Sequence, residues 1–238
     1  MARTGFFHHI GTFFLFAATI LLIITDISAP VVSSISLLRI EIGTTKDQDL
    51  TDQGNFPSIT FGTFGYCLKQ ANDGGHSCSD SMIGYDPLNV VSENINGIEF
   101  SDAGHATAKA LTKVMVLHPV ATGLAFICFL LSAGAGFLGS FTAAIGSFVT
   151  FIVVAVVVIT DFVGFQIVHH DVNKADSRVN AQYGPAIWTT LAAGILCLLA
   201  TILLLFTCCS TRLHHQRERK YRDDKMANSQ SPPRRRFF

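Results

Sequence analysis

The sequence predicts an all-α membrane protein: a four-transmembrane-helix bundle with a small, disulfide-stapled extracellular β-sheet between helices 1 and 2. Three observations carry that prediction. The 238 residues are 49% hydrophobic and only 14% charged, with a mean hydropathy of +0.42, far from the soluble average. Three stretches, 4–25, 114–160 and 179–211, contain no Lys, Arg, Asp or Glu and together hold 102 residues. The middle stretch, 47 residues long, would extend about 70 Å as one helix, more than twice the roughly 30 Å hydrocarbon core, so it must fold back. These blocks exclude a soluble globular enzyme.

Helix 1, at about 7–26, rests on the dense apolar run 11–24 behind a head carrying Arg3, His8 and His9. A secretory signal would look similar, and Ser28-Ala29 resembles a cleavage site, but Pro30 would then stand first in the mature chain, a poor position for it. A retained membrane helix is the better reading. Gly134, Gly136, Gly139 and Ser140 supply the turn in the middle stretch, giving helix 2 at about 116–137 and helix 3 at about 141–165 in a tight hairpin. Tyr183-Gly184-Pro185 opens helix 4, at about 185–208, with Pro placed where a first turn accepts it.

Four crossings put both termini on one side, and charge assigns that side. The tail 210–238 has nine basic residues against three acidic ones, whereas the loop 28–115 has five basic against ten acidic. The basic end stays in the cytosol by the positive-inside rule, so the loop faces outward and both termini are cytosolic. Trp188 and Tyr183 then fall at the outer interface, as an aromatic belt requires.

Of six cysteines, Cys67 and Cys78 alone lie in the outer loop, where disulfides persist, and are expected to pair. Free or metal-binding thiols are the weaker alternative, since CxxC spacing and further ligands are missing. Residues 59–67 alternate apolar with small or polar positions, as a half-buried strand does. Asn72-Asp-Gly-Gly75 suits a hairpin turn, and Asp86-Pro87 a turn or strand end. The remainder of the loop, about 43–57 and 88–104, is polar and expected to be mobile.

Small residues recur four apart in the helices, as Ser132, Gly136 and Ser140 and as Ala135, Gly139 and Ala143. Such faces let backbones approach closely in lipid; packing within the bundle is favoured over homo-oligomer formation, the other candidate use. Asp26 and Asp161 are expected at outer helix ends, within reach of the interface, which argues against a transporter with ionisable groups at depth. His118-Pro119 reads as a helix start. His76, His105, His118, His169 and His170 are expected to face outward, where they could titrate near neutral pH and sense protons; plain solvated histidines, the commoner case, are favoured over that use. No HExxH, GxSxG, phosphate-loop or GxGxxG pattern occurs, so no catalytic residue, metal, cofactor or nucleic-acid partner is expected.

On the inner face, Cys208 and Cys209 precede Arg212 and form a candidate S-palmitoylation pair, with buried reduced thiols as the alternative. The basic run beyond them is expected to lie against anionic membrane lipids, in a disordered tail spanning 210–238.

The strand-like 59–67 with Gly65, Tyr66 and Cys67, the second Cys78, the following Ile83-Gly84-Tyr85-Asp86, and 111–120 with His118 and Pro119 closely resemble the fungal PalI-type pH-response regulators. These belong to a wider set of claudin-like tetraspans of fungal plasma membranes, some associated with eisosomes. The resemblance spans about 10–209. It implies a claudin-like fold and a non-enzymatic plasma-membrane accessory of ambient-pH signalling. In that pathway a multi-spanning sensor of the PalH type, an arrestin-like adaptor and ESCRT components lead to proteolytic activation of the transcription factor PacC under alkaline conditions. The implied partner is the PalH-type sensor, and the implied loop motif is Gly65, Tyr66, Gly84 and Tyr85. The sequence ends soon after helix 4, where longer family members continue, so functions of a long cytosolic tail are not expected of it. The competing expectation is a structural organiser of membrane domains or cell-wall contact.

The lipid-anchor reading predicts acyl-exchange labelling of the wild-type chain that disappears in the double variant Cys208→Ser, Cys209→Ser.

Overall fold

The computed structural model describes residues 2–43, 57–69, 75–95, 100–134, 137–175 and 179–229. Their elements are α1 (Ala2–Asp26), β1 (Leu38–Ile42), β2 (Ser58–Phe61), β3 (Tyr66–Lys69), β4 (His76–Cys78), α2 (Pro87–Asn94), α3 (Asp102–Val114), α4 (Leu117–Ala133), α5 (Phe137–Ala175), β5 (Val179–Tyr183) and α6 (Pro185–Ser229). Four candidate membrane spans, Phe6–Asp26, Asp102–Ala133, Phe141–Lys174 and Pro185–Cys208, make this a multi-pass membrane protein.

The bundle closes as a ring in which α1 packs on α4 and α6, and α5 packs on the same two helices. Its interior is narrow because small side chains hold the contacts: Ala18, Ala121, Ala125, Ala193 and Cys197 pack with Leu22 and Val154, and a second layer joins Leu15, Cys128, Ala144, Ala200 and Leu204. Close approach of this kind drives helix association where lipid already solvates large apolar groups. The larger side chains, among them Phe13, Phe16, Phe148, Ile152 and Phe206, point outward.

At one end of the bundle sits an antiparallel sheet in the order β4-β3-β2-β1-β5. Alternation puts Leu38, Ile40, Ile59, Phe61, Val179 and Ala181 on its buried face, with Leu38 opposite Phe61 and Ile40 opposite both Ile59 and Ala181. Against that face lie Leu88 and Val91 of α2 and Phe165, Val168 and Val172 of α5. At 39 residues, α5 is about 58 Å long, so it continues well past the hydrocarbon core and forms a wall for the sheet. The side-chain amide of Asn173 donates to the Ala181 carbonyl (3.3 Å) and accepts from the Ala181 N–H (2.9 Å), which covers the free edge of β5.

Several sequence expectations change. Helices 2 and 3 were expected to meet between 137 and 141; instead α4 ends at Ala133, Gly134 takes the cap with its N–H on the Leu130 carbonyl (2.9 Å), and α5 begins at Phe137. Gly139 is helical, a cost of about 1 kcal/mol that the surrounding helix absorbs. Helix 3 was expected to stop near 165, but α5 runs to Ala175 because Phe165, Val168 and Val172 keep a helical stripe on the sheet core. The tail expected to be disordered is helical to Ser229, consistent with the lack of any Gly or Pro between Gly194 and Pro232. The strand at 59–67 is two strands around a tight turn at 62–65, closed by the Gly62 N–H on the Gly65 carbonyl (2.9 Å). Much of 88–104 is not loop but α2 and the start of α3, capped by Asp86 and Ser101. One strand, β5, comes from between α5 and α6. Residues 44–56 and Asn72, Asp73 and Gly74 of the expected hairpin turn lie outside the described residues.

Phe165 is 1% exposed and links α5 to the sheet core. Phe165→Ala is therefore expected to lower stability by about 3–5 kcal/mol in an SDS unfolding titration of the chain in mixed micelles.

Candidate functional site

The loop and helix-2 residues singled out in the sequence gather where the sheet meets the helix ends. The turn 62–65 is hooked onto the end of α1: the Thr63 hydroxyl donates to the Thr25 carbonyl (3.1 Å), and the Thr63 N–H donates to Ser28 Oγ (3.0 Å). The Thr25 carbonyl also accepts from the Ser28 N–H (3.1 Å), so the turn adds a second bond to the last turn of α1. A Cβ on Gly65 would sit 2.5 Å from Ser79 Oγ, so only glycine fits there without displacing a neighbour. Gly84 has φ +76°, a left-handed conformation, and a Cβ there would meet the Lys113 stem at 2.5 Å.

Tyr85 is the centre of this seat. Its phenol donates to the Gly62 carbonyl (2.7 Å), its own carbonyl accepts from the Thr112 hydroxyl (2.5 Å), and its ring stacks on Phe61 with Tyr66 alongside. Burial, with the nearby Asp161 as a second cause, pushes the phenol above the ordinary tyrosine range. The four motif residues Gly65, Tyr66, Gly84 and Tyr85 are thus brought together. Cys67 and Cys78 face each other across β3 and β4 and form a disulfide.

Asp86 does two things. One oxygen accepts from the Leu88 and Asn89 N–H groups and caps α2, while the other lies 2.8 Å from His105 Nδ1 on α3. His105 is therefore engaged with a partner rather than simply solvated.

His118 corrects the outward-facing expectation more sharply: it is 1% exposed. Its Nε2 lies 3.1 Å from Oδ2 of Asp161, which is also 1% exposed, and its Nδ1 lies 3.3 Å from the Met115 carbonyl. Asp161 accordingly does not reach an interface; it is inside α5, and its Oδ1 has no hydrogen-bond partner among the described residues. Pro119 explains part of the local geometry. It has no N–H to give the Met115 carbonyl, the acceptor four residues back, so that carbonyl is left for the His118 N–H (3.0 Å) and ring. From α1, Asp26 Oδ2 lies 2.6 Å from the Thr122 hydroxyl, which is itself 3.1 Å from the His118 carbonyl.

At the opposite end of the bundle, His8 Nε2 lies 3.1 Å from the Ser132 carbonyl, and Thr12 shares a hydrogen bond with Ser132 Oγ. Cys208 is half-buried against the Leu15 and Leu204 layer, and the Cys209 side chain lies outside the described residues. Sequence reasoning missed Asp161 as the partner of His118, 43 residues away. The only signal was a carboxylate at the edge of a long uncharged run.

A family model for the SUR7/PalI family matches residues 7–200. Among curated proteins, the chain is 36% identical over 123 residues to the pH-response regulator protein palI/prr-5 of Neurospora crassa, covering 52% of this chain and 15% of that protein. It is 27% identical over 124 residues to palI/RIM9 of Emericella nidulans, covering 52% and 18%, and 29% identical over 121 residues to palI/RIM9 of Pyricularia oryzae, covering 51% and 14%. The chain spans less than one fifth of the length of these relatives.

Tyr85→Phe should cost about 1–3 kcal/mol at neutral pH, because the buried Gly62 carbonyl loses its donor. The raised phenol value means that the folded chain holds this proton more tightly than the unfolded chain. Its contribution is intact below the unfolded tyrosine value of 10.0 and fades as pH rises above it. The stability gap between wild type and Tyr85→Phe, measured by SDS unfolding, should therefore narrow above about pH 10.

Proposed function

Because the chain belongs to the SUR7/PalI family, we propose that it is a non-enzymatic plasma-membrane accessory of ambient-pH signalling, assisting a PalH-type sensor upstream of PacC-type proteolysis. The observation that carries this reading is the family match over residues 7–200, which takes in the sheet and most of the bundle, joined to three fungal relatives that bear the name pH-response regulator. In this reading the sheet-bearing end faces the medium and both termini face the cytosol. The charge asymmetry between the acidic loop and the basic tail supports that orientation.

The chain acts here by lateral contact and by its outer lobe. The lobe is closed by the Cys67–Cys78 bridge and tied to the helices through Thr63 and Tyr85. It is a built surface that a partner sensor can recognise, with Gly65, Tyr66, Gly84 and Tyr85 giving it shape. The helical extension of α6 carries the basic run 212–225 beyond the membrane span, toward anionic lipid headgroups or a partner. Cys208 and Cys209 stand at that boundary as the acylation candidates.

The family description also includes SUR7, which favours a second reading as an organiser of membrane domains or wall contact. Deleting the gene separates the two. Loss of PacC-type processing and of growth at alkaline pH, with membrane domains intact, is the expected outcome. Normal processing with disturbed domains or wall would give the protein to the second reading.

A further inference from the structure

We propose that His118 and Asp161 form a buried proton-binding site that couples α4 to α5 beneath the sheet and loosens that coupling when the proton leaves. For the pH response this rests on the function proposed above; the site itself stands on the contacts alone.

The argument is a count of protons. The Met115 carbonyl can only accept, so the His118 Nδ1 opposite it at 3.3 Å carries a hydrogen. Nε2 then faces Asp161 Oδ2 at 3.1 Å, and that contact is attractive only with a second proton between the two atoms. It makes no difference whether the pair is written as imidazolium and carboxylate or as imidazole and carboxylic acid. Either way the pair is neutral overall and holds one proton more than neutral imidazole with carboxylate.

Losing that proton leaves two arrangements, and both are poor. If Nδ1 keeps its hydrogen, the Nε2 lone pair faces the Asp161 carboxylate. If the hydrogen moves to Nε2, the bare Nδ1 faces the Met115 carbonyl. In each case a net negative charge remains at a site where both residues are 1% exposed and Asp161 Oδ1 has no partner among the described residues.

The surrounding groups sharpen the effect. From α1, Asp26 faces His118. From the segment before α2, Tyr85 faces Asp161. Lys113, the basic residue on the adjoining turn, lays its stem over Gly84. The stretch of α6 from Pro185 to Leu196 contains no titratable residue. Two carboxyl groups and one imidazole thus meet at this junction.

The consequence travels along α5. Phe162 follows Asp161 directly and meets Trp188 edge-on, with ring centroids 6.1 Å apart. Phe165, Val168 and Val172 on the same helix hold the sheet core. A change in how α5 sits on α4 therefore reaches both Trp188 and the sheet.

Trp188 is the single tryptophan of the chain and so reports on this junction. With the full chain in phosphatidylcholine nanodiscs, its fluorescence should change reversibly along an acid-to-alkaline titration, with populations changing about tenfold per pH unit as one linked proton requires. Asp161→Asn keeps the shape, offers a hydrogen to Nε2 and cannot ionise; it should lose the titration and hold the acid-form signal. His118→Gln should lose it as well. A flat wild-type curve, or variants that titrate like wild type, would overturn the proposal.

A second measurement needs no variant. Nitrogen NMR of isotope-labelled histidine in the wild-type chain should show His118 protonated at Nδ1 at about pH 6. A neutral ring with a bare Nδ1 at that pH would refute the site. Both readouts use the purified chain, so failure of the signalling reading in the deletion strain leaves them unaffected, and their failure leaves that reading standing.

Discussion

A sheet of five short strands can bury only one face, and the wall that buries it here is the C-terminal stretch of α5, a helix longer than a hydrocarbon core requires. Everything at the sheet-bearing end follows from that overlength. Phe165, Val168 and Val172 of α5 form the floor under Leu38, Ile40, Ile59 and Phe61. The link from α5 to α6 is then short enough for β5 to join β1 as the edge strand. Asn173, one position past Val172, masks that edge by imitating a neighbouring backbone.

The joint between lobe and bundle is polar because it must be. Helix ends expose carbonyls and N–H groups that neither lipid nor a sheet core can satisfy, and each one left buried and unpaired costs about 1–3 kcal/mol. Thr63 meets that demand at the Thr25 carbonyl of α1, and Tyr85 and Thr112 do the same for the buried carbonyls of Gly62 and Tyr85 in the turn and in the segment before α2. Pro119 creates one more such vacancy by withholding its N–H, and His118 occupies it. The result is a lobe whose position is specified by directed bonds, with apolar packing supplying most of the adhesion.

The lower bundle is held by small-residue contacts that fix the approach of the helices, while its large side chains are turned outward to lipid or to neighbouring helices. The sheet-bearing end carries the shaped surface and the buried His118–Asp161 pair. Contacts made in the membrane and contacts made by the lobe are then connected through one rigid element, α5, rather than through a flexible linker.

What the sequence determined alone was whatever depends on composition and local order. Uncharged length gave the four crossings, since no soluble fold explains 102 such residues, and cysteine position gave the disulfide, since Cys67 and Cys78 alone lie in the long loop between the first two spans. Glycine-rich hairpin chemistry located the turn between α4 and α5 to within a few residues. Tertiary structure decided the rest. The end of α5, the short helices α2 and α3 and the strands β1 and β5 are stabilised by packing on one another, which no local pattern records. His118 read as solvated and Asp161 as interfacial because each is polar at the edge of an apolar run; only the folded chain brings them within 3.1 Å and seals them from solvent. A pairing between residues on different helices is a property of how the helices pack, and hydropathy along one chain carries no term for it.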